Sequence, residues 1–353
     1  MVRVSDFDYE LPEELIAQEP LKDRAGSRML VVDRAAGRWE DRGFRELPQF
    51  LHAGDCLVLN DSKVFPCRLF GLRMGVHALA VGKKNPKRRE NLSGTVEVFL
   101  LGPVSADARE WDALVRPGRK MRTGERVRFD DALEAEILSR GEFGERRLRF
   151  SGDSDVYAAL ERIGHVPLPP YIKRRDTPED RARYQTVFAR ERGSVAAPTA
   201  GLHFTKEALE ACRAAGAEIA YVTLHVGLGT FQPLHSDEVE QAHLHTERYS
   251  IAEESARKMN NARRLVAVGT TTVRTIESAH RSGALQGQTD LFIYPGFEFA
   301  RTGALLTNFH LPRTSLLLLV CAFGGTELIL AAYRHAVEKK YRFYSYGDCM
   351  LIL

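Results

Sequence analysis

Val266-Ala-Val-Gly-Thr-Thr-Thr-Val-Arg274 reads as an apolar strand, one glycine, and a run of hydroxyl residues opening a helix. That order is the repeating unit of an open α/β sheet, whose ligands gather at the carboxyl ends of strands and at helix N-termini. The segment lacks the several glycines of a P-loop or a dinucleotide fingerprint, so it argues for a ligand other than a nucleoside triphosphate. Around it, strand-like runs at Glu218–Val226, Leu265–Val268, Asp290–Tyr294 and Ala304–Asn308 alternate with helical stretches near 205–215, 253–264, 272–282, 314–323 and 326–340. This alternation predicts an α/β sheet. An earlier apolar run, Asp55-Cys-Leu-Val-Leu-Asn60, joins it as a further strand.

The texture changes between Pro66 and Phe150. Short β-rich runs at Thr95–Leu101, Trp111–Val115, Arg126–Phe129, Ala135–Leu138 and Glu145–Phe150 are separated by Gly, Pro and Asp turns, the pattern of a small antiparallel barrel. The expected fold class is α/β: a discontinuous α/β domain, 1–65 and 151–353, with an inserted small antiparallel β-barrel at 66–150. Phe7–Ile16 reads as an amphipathic start, Met29–Asp33 and Trp39–Phe44 as a hairpin-like pair, and Lys173–Arg183 as a flexible charged connection. Residues 74–93 fit no element and read as a basic, mobile loop.

With 353 residues, 44% hydrophobic and 27% charged, the chain has the make-up of an ordinary globular protein with room for two domains. No signal-peptide pattern follows Met1, and the longest apolar run, Leu316–Phe323, is too short to span a bilayer. Five scattered cysteines without a Cys-x-x-Cys pair point to reduced thiols in the cytoplasm. The net charge of +3 divides unevenly. Residues 66–150 hold 18 Lys/Arg against 12 Asp/Glu, and the remainder holds 32 against 35. The excess lies at Lys83-Lys-Asn-Pro-Lys-Arg-Arg89 and Arg116-Pro-Gly-Arg-Lys-Met-Arg122, which suits a polyanion such as RNA as well as a solvated surface.

Four further segments carry polar groups on tight turns. Val195-Ala-Ala-Pro-Thr-Ala-Gly-Leu-His-Phe204 presents Thr199 and His203 ahead of a helix that Thr205 caps. Leu224-His-Val-Gly-Leu-Gly-Thr-Phe-Gln-Pro233 places His225 before a glycine turn, and Leu306-Thr-Asn-Phe-His-Leu-Pro312 brings Asn308 and His310 to a strand end. Arg342-Phe-Tyr-Ser-Tyr-Gly-Asp348 suits stacking on a flat ring plus one carboxylate. Singly, each reads more readily as a cap, a turn or a core aromatic; together they favour a composite small-molecule pocket. His243, His245 and Glu247 would share one face of a strand, a spacing open to a metal ligand set. No Gly-x-Ser-x-Gly or His-Glu-x-x-His string supports a serine hydrolase or zincin.

These segments resemble the S-adenosylmethionine:tRNA ribosyltransferase-isomerase family of queuosine biosynthesis. The resemblance rests on Phe7-Asp-Tyr-Glu-Leu-Pro12, Gly54 to Val64, Arg68-Leu-Phe-Gly71, Gly164-His-Val-Pro-Leu-Pro-Pro-Tyr-Ile172, Tyr184-Gln-Thr-Val-Phe188 and Ala196 to Phe204. It continues through Thr223 to Pro233, Val268 to Ser278, Thr307 to Pro312 and Tyr341 to Asp348, in order over nearly the whole chain. Lys63 stands where the family has Arg, residues 74–93 look like an addition, and Ala242 stands where the family has a histidine near the His-x-Glu pair.

The resemblance implies transfer and isomerisation of the ribosyl part of S-adenosylmethionine onto 7-aminomethyl-7-deazaguanine at the tRNA wobble position. Epoxyqueuosine-tRNA forms, and adenine and methionine leave. S-adenosylmethionine is then a consumed cosubstrate, with no cofactor and no metal. The partner is a tRNA with a GUN-type anticodon; no membrane is involved, and a monomer is expected. On this chemistry His203 and His225 are acid/base candidates, and His310 is a third. Thr199, Thr270, Thr271 and Asn308 would hold substrate, Arg274 would pair the methionine carboxylate, and Tyr346 and Asp348 would face a base. Asn60, Lys63, Arg68, Arg119 and Lys120 would grip tRNA. The rival readings are a metal-assisted hydrolase using His243, His245 and Glu247, and a non-catalytic tRNA-binding module. The charge map predicts that tRNA affinity falls steeply as salt rises, because each neutralised phosphate releases counterions; a flat salt titration would remove the basic cluster from the RNA platform.

Overall fold

All six residues of Asp55–Asn60 are buried, Cys56 and Val58 in one apolar core and Leu57 and Leu59 in another. A strand that is apolar on both faces belongs inside a sheet covered on each side. The computed structural model describes residues 2–74, 94–141, 144–152, 155–227, 238–242 and 244–353. It forms two compact units, one of residues 1–63 and 168–353 and one of residues 64–167.

The first unit is built on a nine-stranded sheet. Glu218–Leu224, Asp55–Asn60, Arg264–Val268 and Thr302–Asn308 run side by side and parallel. Glu247–Ile251 and then Gln286–Thr289 extend one side antiparallel. On the other side Cys349–Ile352 pairs antiparallel with Thr302–Asn308, and Arg28–Asp33 and Arg38–Gly43 complete the edge. Helix Lys206–Ala214 and the turn Phe44–Phe50 cover one face through Leu209, Cys212, Phe44 and Leu47. The other face is covered by Glu253–Asn261, Thr270–Ser282, Ser315–Gly324 and Thr326–Glu338, whose Met259, Ile276, Leu317 and Ile329 enter the second core. The four parallel strands therefore end together at Leu224, Asn60, Val268 and Asn308. No single helix among the described residues is long and apolar enough to cross a membrane.

The second unit is a closed barrel of six antiparallel strands, Arg68–Arg73, Thr95–Pro103, Glu110–Arg116, Arg126–Arg128, Leu133–Arg140 and Glu145–Gly152. Alternate residues such as Val98, Trp111, Ala113, Ile137 and Leu148 fill its interior. The unit is wider than the strands alone because helix Val156–Ile163 belongs to it and His165 N donates to Arg68 O at 2.8 Å. Residues 75–93, and with them the basic run Lys83–Arg89, lie outside the described residues.

Several sequence expectations are replaced. The amphipathic start Phe7–Ile16 takes the form of two short 3₁₀ turns, Val4–Phe7 and Glu13–Leu15, with Pro12 between them. Asp290–Tyr294 is irregular; the polar Gln286–Thr289 takes the edge instead because its backbone completes a ladder with Glu247–Ser250. Lys173–Arg183 is anchored: Asp180 is buried and accepts from Arg174 Nη1 at 2.6 Å and Tyr346 Oη at 2.9 Å. Strand Cys349–Ile352 is an addition that four residues at a chain end did not announce.

Gly269 joins strand Arg264–Val268 to helix Thr270–Ser282 with φ +92° and ψ 151°. Only glycine adopts that conformation without strain. A Cβ there would meet nothing nearer than Ala200 Cβ at 3.7 Å, so Gly269→Ala tests conformation rather than space. The variant should lose about 1–3 kcal/mol, read as a lower urea midpoint; an unchanged midpoint would mean the turn relaxes freely.

Candidate active site

A cleft of about 480 Å³ opens where strands Arg264–Val268 and Thr302–Asn308 end. Thr199, Thr270, Thr271, Asn308 and His310 line it, with Thr307, Leu316, Tyr344 and Ser345 completing the wall. Helix Thr270–Ser282 enters with Gly269 as its N-cap, so no side chain caps it. Thr272 Oγ1 donates back to Val268 O at 2.7 Å and Thr275 Oγ1 to Thr271 O at 2.9 Å. Thr270 and Thr271 are thus the hydroxyls left at the mouth, beside backbone N–H groups whose partial positive charge favours anionic ligand groups.

Two amides hold this mouth. Asn60 Nδ2 donates to Leu224 O at 3.1 Å and to Thr271 Oγ1 at 3.3 Å, while its Oδ1 accepts from Leu224 N and Ser62 N, both at 3.1 Å. Asn60 is 1% exposed, so the structure makes it a support of the cleft rather than a grip on an anticodon backbone. Asn308 Nδ2 donates to Tyr344 O at 2.9 Å, and the Asn308 amide also interacts with the His203 imidazole, whose pKa it raises. Tyr344 itself has φ +73°, a left-handed conformation costly for a bulky residue and typical of sites that hold a side chain against its preference.

The three histidines separate. His310 lies in the cleft, with Thr307 Oγ1 and its Nε2 at 2.9 Å; burial pulls its imidazole down to about 3. His203 lines an adjoining cavity of about 290 Å³ with Arg24, Ser27, Arg183 and Tyr346. Its Nδ1 meets Ser27 Oγ at 2.8 Å, and its Nε2 has no partner of hydrogen-bond geometry. Burial pulls it down to about 4, Asn308 opposes the shift, and Arg24 and Arg342 add to it. His225 lines neither cavity. Its Nδ1 lies buried against Gly193, and burial, then Arg248, lowers its pKa, with Glu191 and Asp61 opposing.

The remaining sequence candidates take other positions. Arg274 is not in the cleft. It donates through Nη1 to Glu247 and through Nε to Leu291 O at 3.0 Å, beside a separate cavity of about 380 Å³. Tyr346 spends its hydroxyl on Asp180, and Asp348, 2% exposed, accepts from Arg28 N at 2.9 Å and Arg342 N at 2.8 Å. The Asp348 carboxylate therefore fixes the Arg342–Asp348 loop instead of facing a ligand. Arg68 pairs with Glu97 at 3.2 Å, Lys63 is half-buried, and Arg119 and Lys120 are exposed. Glu247 is held by Arg274 and by Gly227 N at 2.8 Å, and His243 lies outside the described residues. Among the described residues no three His, Cys, Asp or Glu side chains group to hold a metal.

Sequence reasoning missed Thr307, Leu316, Tyr344 and Ser345 as cleft residues. Thr307 and Leu316 belong to an apolar strand and an apolar helix whose local pattern says core. The positive φ of Tyr344 has no sequence signature in a residue other than glycine.

An open α/β sheet with hydroxyls, an amide and an unprotonated imidazole converging at its strand ends defines a small-molecule enzyme rather than a structural module. The profile of the queuosine biosynthesis protein family matches residues 4–352. A protein from Solibacter usitatus named S-adenosylmethionine:tRNA ribosyltransferase-isomerase is 72% identical over 352 residues, all of both chains. One of the same name from Symbiobacterium thermophilum is 48% identical over the full length of both. The crystal structure of S-adenosylmethionine tRNA ribosyltransferase from Thermotoga maritima superposes with a TM-score of 0.54 at 39% identity, covering 99% of this chain and 100% of that one. The chain belongs to the queuosine biosynthesis protein family, that of the S-adenosylmethionine:tRNA ribosyltransferase-isomerases.

Buried neutral imidazoles make stability depend on pH. His203 and His310 stay unprotonated in the folded chain down to about 4 and about 3. The unfolded chain binds those protons near pH 6.5. Their contribution is therefore complete above about pH 6.5 and is lost as pH falls towards the folded values, by roughly 2–3 kcal/mol for each at pH 4.5. Urea midpoints between pH 7.5 and 4.5 should fall more gently in His203→Asn and in His310→Asn than in wild type. Parallel curves would place the acid sensitivity elsewhere.

Proposed function

We propose that this enzyme moves the ribosyl part of S-adenosylmethionine onto 7-aminomethyl-7-deazaguanine at the wobble position of a GUN-type tRNA. The product is epoxyqueuosine-tRNA, with adenine and methionine released and S-adenosylmethionine consumed as cosubstrate without a further cofactor. The observation that carries this reading is the cleft itself: a helix N-terminus without a side-chain cap and a neutral, buried histidine line one cleft at the ends of two parallel strands. The relatives' names supply the substrates, and the cleft supplies groups that suit them.

The chemistry asks four things of the protein. A base must take a proton from the carbon next to the sulfonium. His310, the imidazole that lines the cleft, is the candidate: burial keeps it neutral beside the sulfonium cation, and the same burial makes it a weaker base than a free imidazole. The proton so gained can leave on the departing adenine, which returns the imidazole to its starting state. Thr270, Thr271 and Asn308 bond the ribose hydroxyls while the sugar ring opens. Thr199 and Tyr344 bound the other wall. His203, in the adjoining cavity, holds the Asn308 side of the site, and His225 supports the segment leading to Val226.

The deazaguanine must leave its stack to react, which an anticodon loop permits at low cost. Arg119 and Lys120, exposed on the barrel unit, and Lys63 bind phosphates without reading sequence.

A single-turnover assay with S-adenosylmethionine and tRNA carrying the aminomethyl-deazaguanine should release adenine and methionine only when that base is present. His310→Gln should lower the rate at least 100-fold with tRNA affinity kept, and His203→Ala should lower it less. Adenine release at near-normal rate in His310→Gln would end its role as base. Retained tRNA binding with no adenine from wild type would leave an RNA-binding protein.

A further inference from the structure

Between strand Thr302–Asn308 and helix Ser315–Gly324 the chain has no regular structure to hold it, and His310 sits in this stretch. Two buried phenols hold its peptide groups. Tyr9 Oη donates to His310 O, and His310 N donates to Tyr333 Oη at 3.1 Å. Tyr9 comes from the N-terminal segment and Tyr333 from helix Thr326–Glu338. Their rings pack edge to face at 5.1 Å, and Tyr333 meets Phe309 in the same way at 5.2 Å. Phe309 and Phe343, 5.1 Å apart, show that plain phenyl rings fit this cluster, so packing alone does not call for the two hydroxyls. Burial raises the pKa of both phenols, which therefore keep their protons through the neutral range.

We propose that Tyr333 and Tyr9 are positioning residues for His310, fixing where its imidazole stands in the cleft; this rests on His310 as the base of the proposed reaction. The imidazole has one hydrogen bond of its own among the described residues, between Nε2 and Thr307 Oγ1 at 2.9 Å. That bond turns the ring, but it does not fix how far the backbone carries the ring from the strand end. The phenols do this from both sides of the Cα, one on the amide before it and one on the carbonyl after it. Proton transfer requires hydrogen-bond reach, and a misplacement of about 1 Å can cost 10²-fold in rate. Neighbouring groups of the turn are claimed as well: Tyr344 N donates to Phe309 O at 3.1 Å, Thr314 Oγ1 to Leu311 O at 2.8 Å and Arg313 N to Phe7 O at 3.0 Å. At His310 itself the holding groups are phenol oxygens, which a phenylalanine removes while keeping the ring. Phenylalanine at position 333 leaves the His310 N–H buried without its acceptor, and the turn shifts to find another.

The test is a cycle of adenine-release measurements with S-adenosylmethionine and the modified tRNA, in wild type, Tyr333→Phe, His310→Gln and the double variant. Tyr333→Phe should lower the saturating rate about 10-fold, with the half-saturating S-adenosylmethionine concentration and the tRNA affinity within about 3-fold of wild type. In the His310→Gln background the same substitution should change the rate by less than about 2-fold, because no base is left to place. Tyr9→Phe should follow the same pattern with a smaller loss. A full rate in a folded Tyr333→Phe protein, or an equal loss in both backgrounds, would overturn the positioning role and leave His310 as the base. If Tyr333→Phe does not fold, Tyr9→Phe decides by the same comparison. A near-normal rate in His310→Gln would defeat the base assignment and the positioning role together, whereas no adenine from wild type would defeat the proposed reaction itself.

Discussion

The carboxamide of Asn60 makes four hydrogen bonds, two to the backbone of Leu224, one to Ser62 N and one to Thr271 Oγ1. It thereby fixes in one place the ends of two parallel strands and the first turn of the helix that a third strand launches. Sheet ladders set the spacing of strands but not what happens after they stop, and loops that leave a sheet are free to wander unless their polar groups are claimed. A buried amide with every lone pair and proton assigned removes that freedom. Thr270, Thr271 and the open N–H groups around them can face a ligand because Asn60 has already settled the geometry behind them.

A second constraint is the absence of charge on the imidazoles. Burial, more than any neighbour, pulls His203 and His310 down to about 4 and about 3. A family whose relatives are named for S-adenosylmethionine handles a molecule that is already cationic at sulfur. A protonated histidine in the cleft would cost binding by like-charge repulsion in a poorly screened site. Three arginines of the unit are paired with carboxylates: Arg274 with Glu247, Arg174 with Asp180, Arg264 with Asp55.

The fold was legible wherever a local pattern and the tertiary role agree. Asp55–Asn60 is apolar at every position because the sheet is covered on both faces, and Val266–Arg274 carries its turn in one glycine. What stayed hidden depends on partners remote in sequence. Gln286–Thr289 is polar and still a strand, since an edge needs only a backbone ladder. The site was legible as a set of segments but not as an assignment. Arg274, Tyr346 and Asp348 carry the charge or ring that a ligand would want, and all three are engaged by Glu247, Asp180 and Arg28 from elsewhere in the chain. Type and spacing cannot tell a free polar group from one already bonded.

Strand Cys349–Ile352 lies inside the sheet, and the hairpin Arg28–Gly43 reaches the rest of the sheet only through it. Tyr344 and Ser345, which wall the cleft, come just before this strand, and Arg28 N meets Asp348 across 320 residues of chain. On a ribosome adding 5–20 residues each second, the hairpin therefore waits roughly 15–60 s for its neighbour. A chain interrupted before Tyr344 therefore lacks both that wall of the cleft and the strand that joins the hairpin to the sheet.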